Sequence, residues 1–89
     1  MSGDRDPWKA RVNLAGHGVS FDEARTVLAD PLASWKPDKT HSQIEERWNV
    51  TGRSNRSRLL VVTVTPRGDT FRIISARRAT KRECHEYEG

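Results

Sequence analysis

Apolar positions along the chain follow two rhythms, helical in the first third and strand-like from residue 47 onward. Asp6-Pro7 has the form of a helix start, with Asp6 as cap and Pro7 in the first turn, where its missing N–H costs nothing. Trp8, Val12 and Ala15 then fall on one stripe, and Gly16-His17-Gly18 ends the segment because glycine accepts a left-handed turn. Ser20 and Glu23 make a Ser-x-x-Glu capping box ahead of the apolar face Phe21, Ala24, Val27 and Leu28, and Asp30-Pro31 stops this second helix. From Leu32 to Ser42 the chain is polar and without firm period, a loop around a short strand candidate near Trp35.

Arg47 to Thr51 alternates polar with apolar and predicts a strand, closed by a loop from Gly52 to Ser57. Leu59 to Val64 is a continuous apolar run rich in β-branched residues, and being apolar on both faces it is predicted to be a central strand. Pro66-Arg67-Gly68-Asp69 reads as a turn and Phe71 to Ala76 as the third strand of an antiparallel meander. Thr80 and Glu83 form a second capping box, opening a short helix that includes Tyr87. The order predicts a single α+β domain over residues 1–89: a small antiparallel sheet with the N-terminal helices packed on one face and a short C-terminal helix. The other face is left for a ligand or partner.

A domain of 89 residues buries only about 60–65% of the surface its unfolded chain exposes, so a partner that binds the folded form would stabilise it appreciably. The net charge of +4 is unevenly spread. Residues 1–45 hold six Lys or Arg against seven Asp or Glu; residues 46–89 hold ten against five, and nine of those ten cations are arginine. The fork of arginine pairs bidentately with phosphate and stacks on flat rings, which favours polynucleotide contact over mere solubility. The stretch from Phe71 to Tyr87 concentrates the signal, with arginines read at both faces and at the end of an apolar strand; the plainer reading is a solvated basic rim. One cysteine, Cys84, excludes an internal disulfide and a cysteine zinc cluster. No apolar run approaches the roughly 18 residues of a membrane span, and the polar N-terminus lacks a secretory core, so the expected location is the cytoplasm.

Three clusters carry candidate chemistry: His41-Ser42 with Glu45-Glu46-Arg47, the loop Gly52-Arg53-Ser54, and Arg72 to Arg78 with Tyr87. Together they match what cutting RNA without metal or other cofactor requires: a base for the 2′-hydroxyl, an acid for the leaving 5′-oxygen, and cations around the crowded phosphorus. His41 or Glu46 serves the proton transfers; Arg47, Arg53, Arg72 and Arg77 serve as clamps, with Tyr87 in support and Arg56, Arg58, Arg78 and Arg82 as further RNA contacts. No His-Glu-x-x-His, Cys-x-x-Cys, phosphate-binding loop or dinucleotide fingerprint is present. Trp8, Trp35 and Trp48 are read as core. The competing reading is a basic binding module that holds nucleic acid or an acidic partner protein and cleaves nothing.

Several segments also resemble one family. Asp6 to Phe21 reads D-P-x-K-A-x-x-N-L-x-x-H-G-V-S-F, followed by D-P at Asp30, H-S-x-x-E-E-R at His41 to Arg47, G-R-S at Gly52, and R-G-D-x-x-R-I-I-S-A-R with a trailing E-x-x-x-Y-E. In kind, order and spacing these resemble the BrnT toxins. The resemblance implies a RelE-like fold and a ribonuclease toxin of a type II toxin–antitoxin pair, active without the ribosome. It also implies a BrnA-like ribbon-helix-helix antitoxin that covers the toxin and alone brings operator DNA. Two departures stand out. Ser2 to Arg5 replaces the short apolar opening strand of the relatives, so an edge strand is expected to be missing, and Cys84 follows Glu83 where relatives carry arginine.

Overall fold

The computed structural model describes residues 7–39 and 46–88. In chain order these form α1 (Pro7–His17), α2 (Phe21–Val27), β1 (Ser34–Pro37), β2 (Trp48–Arg53), β3 (Leu59–Arg67), β4 (Thr70–Arg78) and α3 (Lys81–Glu88). The strands make one antiparallel sheet in the order β1-β2-β3-β4, the α+β arrangement expected from the sequence. The segment around Trp35 is the fourth strand, pairing Ser34 with Thr51 through to Pro37 with Trp48. The Asp6 cap, the Ser2 to Arg5 stretch, His41 and Glu45 lie outside the described residues.

Residues directly opposite one another in an antiparallel pair share a face, so the register sorts the sheet into two surfaces. Val50, Val62 and Ala76 form one row, with Leu60, Val64 and Ile73 beside it, and all six are buried. Against this face pack Val19, Phe21, Ala24 and Val27. Each large side chain taken out of water there contributes about 1.5–3 kcal/mol before entropic costs. β3 runs on through Pro66 to Arg67, past the last residue that β2 pairs, so the missing N–H of Pro66 breaks no ladder on that side. The expected four-residue turn thus shortens to Gly68-Asp69, with Gly68 at φ 57° in the first central position of a tight hairpin.

α1 differs from expectation in which side it buries. Trp8 is 70% exposed and Val12 53%, and Ala15 faces solvent with them. The inward face instead carries Ala10 and Asn13. Asn13 donates from Nδ2 to the Val19 carbonyl at 2.8 Å and accepts the Ala76 N–H at 2.9 Å, tying α1 to the start of α2 and to β4. Gly18, at φ 68°, turns the chain out of α1 as the glycine reading predicted.

Both capping boxes form, but differently. At α3 the box is reciprocal: the Glu83 N–H donates to Thr80 Oγ1 at 3.2 Å and the Thr80 N–H to Glu83 Oε1 at 2.8 Å. At α2 Ser20 accepts the Glu23 N–H at 3.0 Å, while the Glu23 carboxylate turns inward. It is 4% exposed and accepts from Ser54 Oγ at 2.7 Å and from Nε and Nη2 of Arg58, the former at 2.9 Å. The Arg58 hydrogen bonds lower its pKa against the opposing effect of burial. Gly52 is buried beneath the end of α2, where a Cβ would meet Val27 Cγ1 at 3.0 Å and Ala33 Cβ and Asp30 Oδ2 at 3.1 Å. Only glycine lets strand and helix approach so closely.

Candidate nucleic-acid interface

The second sheet face is polar, and a β-bulge in β4 determines what it displays. Thr63 pairs with Ser75 but Val64 pairs with Ile73, which leaves Ile74 as an extra residue. Arg72 and Arg77 are five positions apart, an odd spacing that would put them on opposite faces of a regular strand. The bulge reverses that. Arg72 pairs with Thr65 and Arg77 with Val61, and Thr65, Thr63 and Val61 point the same way, so Arg72, Ser75 and Arg77 share one face. Arg78, opposite Leu60, keeps to the face of α1 and α2, so the strand carries arginines on both faces as expected, with Arg72 and Arg77 together on the polar one.

Asn49, Thr63 and Ser75 form the middle row of the polar face, with Thr63 Oγ1 donating to Asn49 Oδ1 at 2.8 Å. At one end Thr65 Oγ1 donates to the Glu46 carbonyl at 2.6 Å, which draws residues 46 and 47 alongside β3 next to Arg72. The Glu46 carboxylate is exposed and accepts the Trp48 indole N–H at 2.9 Å; Arg47 and Arg72 are half-buried. The structure therefore brings Glu46, Arg47 and Arg72 to one end.

Arg53, Arg77 and Tyr87 belong to the other end. Five steps of β2 from Trp48 to Arg53 span about 17 Å at 3.4 Å per residue. α3 lies across this end of the polar face, against Ser34, Lys36 and Thr51, so the face is partly covered rather than fully open. Arg77 holds Glu83 through two parallel hydrogen bonds of 2.8 and 2.9 Å. That pairing, with the Thr80 N–H, holds the Glu83 carboxyl down to about 2. Asp30 joins three segments: Oδ2 accepts the Arg53 N–H at 2.8 Å and the Tyr87 hydroxyl at 2.6 Å, and Oδ1 accepts the Leu32 N–H at 2.9 Å. The Arg53 backbone bond is the chief reason its pKa is lowered, and Asp30 in turn raises the Tyr87 phenol. Beside them opens a groove of about 370 Å³ lined by Thr26, Asp30, Arg53, Asn55 and Tyr87.

The remaining sequence candidates are dispersed. Arg58 is turned toward α2 by Glu23, with Arg56 3.9 Å from the same carboxylate. Arg82 lies on α3, 4.0 Å from Glu86 and largely exposed. His41 lies outside the described residues. Of the tryptophans read as core, Trp48 packs against the core, Trp35 is 37% exposed with its ring 5.0 Å from Phe71, and Trp8 faces solvent. Sequence reading credited Glu23 and Glu83 only as caps and Asp30 only as a helix stop. The signal for a second role was there in principle, since each is an acid of a chain rich in arginine. Among the described residues, no three His, Cys, Asp or Glu side chains cluster as a metal site. No described helix is long and apolar enough to cross a membrane.

Residues 6–83 match the family described as "Ribonuclease toxin, BrnT, of type II toxin-antitoxin system". No curated protein matches the chain.

Proposed function

Because the chain belongs to the BrnT family of ribonuclease toxins, we propose that it is an endoribonuclease that cuts RNA by internal 2′-hydroxyl attack without metal, and that a BrnA-like ribbon-helix-helix antitoxin neutralises it. The observation that carries this reading is the bulge in β4, which aligns Arg72 and Arg77 over a polar sheet face. An RNA strand crossing that face meets Arg47 and Arg72 at one end and Arg53, Arg77 and Tyr87 at the other. Cellular RNA as substrate assigns the protein to the cytoplasm.

The chemistry falls to the end of the sheet that holds Glu46, Arg47 and Arg72. A base, Glu46 or His41, takes the 2′-hydroxyl proton; the 2′-oxygen bonds to phosphorus, and the bond from phosphorus to the 5′-oxygen breaks. The departing oxygen receives a proton, leaving a 2′,3′-cyclic phosphate and a 5′-hydroxyl. Arg72 and Arg47 stabilise the charge that builds on the phosphoryl oxygens, the task for which fixed cations at a low-dielectric surface are most effective. Arg77, already bonded to Glu83, positions α3 and Tyr87 while adding its remaining field to the strand path.

The test is purified protein on bulk RNA at low salt with EDTA. Cleavage to cyclic phosphate ends is expected, with a 2′-deoxy substitution at the cut resisting it. Arg72→Ala should cost about 10²-fold or more in rate, and Arg72→Lys should recover little because an ammonium lacks the bidentate fork. Intact RNA, or equal cutting of the 2′-deoxy substrate, overturns the assignment. A non-cleaving binding module is the second reading, favoured by the fact that Arg58 and Arg77 are bonded to carboxylates. It predicts that Glu46→Ala and His41→Ala change nothing, while arginine substitutions weaken binding and lower its salt slope.

A further inference from the structure

Among the described residues five large apolar side chains are exposed, and three of them, Trp8, Val12 and Leu14, belong to the 11-residue helix α1. Trp8, Val12 and Ala15 follow one another at spacings of four and three, so they form a continuous stripe along the side of α1 opposite the buried Asn13. Lys9 lies three residues before Val12 at one edge of the stripe, and Arg11 three residues after Trp8 at the other. The helix contains no acidic residue. Such a surface has an aromatic anchor at one end of the stripe and one sign of charge along both margins. It is suited to an apolar partner with the opposite sign at its margins.

We propose that the outward side of α1 docks an amphipathic helix of the antitoxin, one whose apolar stripe is edged by Asp and Glu. This rests on the antitoxin partnership inferred above and names where and how that partner binds. Charge selects the occupant. A second copy of this chain packing α1 against α1 would bring Lys9 and Arg11 against their own counterparts, whereas an acidic helix pairs with them. Helix-on-helix packing puts partner side chains at i, i+3, i+4 and i+7 against Trp8, Val12 and Ala15. The α1 surface is distant in role from the polar sheet face, so docking there leaves the rest of the antitoxin chain to cover the arginines.

The test uses the full toxin and, as probe, the purified product of the reading frame adjacent to its gene. Binding is measured for wild type, Trp8→Ala, Val12→Asp and the double charge reversal Lys9→Glu with Arg11→Glu, alongside RNA cleavage and melting of each free toxin. Trp8→Ala should weaken the complex by about 30-fold or more, as truncation of an interfacial tryptophan anchor does. Val12→Asp should weaken it comparably, and the charge reversal should lower affinity most at low salt; each free variant should still melt cooperatively and cleave RNA. Unchanged affinity in the variants overturns the docking surface while leaving the partnership intact. Failure of the wild type to bind the probe overturns both. Concentration-dependent dimerisation of the free toxin that Trp8→Ala abolishes assigns the surface to a second copy and overturns the proposal.

Discussion

Glu83→Gln is the substitution whose consequences the structure specifies most fully. Every residue of α3 is at least partly exposed, so apolar burial holds it weakly and polar ties hold it to the sheet. The principal tie is the two-bond pairing of Glu83 with Arg77. The Glu83 carboxyl is held at about 2 against an ordinary 4.5, a difference that would be worth roughly 3 kcal/mol if fully realised at about 1.4 kcal/mol per tenfold change in proton affinity. Its side chain is 27% exposed and that of Arg77 is 43% exposed, so solvent screening reduces the expected contribution to about 1–2 kcal/mol. Because the folded pKa is depressed, the contribution is complete above about pH 4.5 and is lost as pH falls toward 2. Glutamine keeps one oxygen for the Thr80 N–H and Arg77 Nη1, so the cap survives, while the charge and the hydrogen bond from Arg77 Nη2 are removed. Urea unfolding of both proteins should show a gap of about 1–2 kcal/mol at pH 7 that closes between pH 4.5 and 2. Hydrogen exchange of amides 84–88 should quicken in the variant at neutral pH, even if α3 opens without the rest of the fold. A gap that is absent at pH 7, or that persists undiminished at pH 2, refutes the account.

Gly52→Ala should destabilise by about 1–3 kcal/mol, since its Cβ would press on Val27, Ala33 and Asp30 together. For a domain of this size that is a fall of about 4–8 °C in Tm per kcal/mol, and an unshifted melting curve would show that the end of α2 yields freely. Asn13→Ala strands the Val19 carbonyl and the Ala76 N–H in the interior and should cost about 2–4 kcal/mol; a loss under 1 kcal/mol would mean that those groups find other partners.

The parts of the fold that were legible in the sequence are those whose signal is local. Ser20 with Glu23 and Thr80 with Glu83 locate two helix starts because a cap is made by residues three apart. Leu59 to Val64 reads as a central strand because Leu60, Val62 and Val64 fill the core face and Val61 is buried on the other, leaving an apolar run broken only by Thr63. The stripe of α1 was legible as a pattern but not as a location. Periodicity says that Trp8, Val12 and Ala15 lie together, and it cannot say that the chain itself covers them; Asn13, polar and therefore passed over, is the residue that α1 buries. β1 was marked only by Trp35, because a short edge strand with Ser34, Lys36 and Pro37 has neither alternation nor an apolar run.

The site was less legible because its logic is relational. Counting charge assigns ten cations to the second half of the chain, but a count is blind to pairing. Glu23 takes Arg58 from across the fold and Glu83 takes Arg77, so two of the arginines that composition offers to phosphate are already bound to carboxylates. Which arginines share a surface is likewise beyond composition, for in a strand it depends on parity, and parity depends on whether any residue is left out of the ladder. Ile74 is that residue. Nothing in R-I-I-S-A-R announces that the second isoleucine is the extra one; the choice follows from Ile73 filling the core beside Val64 while Ser75 and Ala76 keep register with Thr63 and Val62. The apolar face thus decides, by what it must bury, how the arginines on the polar face are aimed.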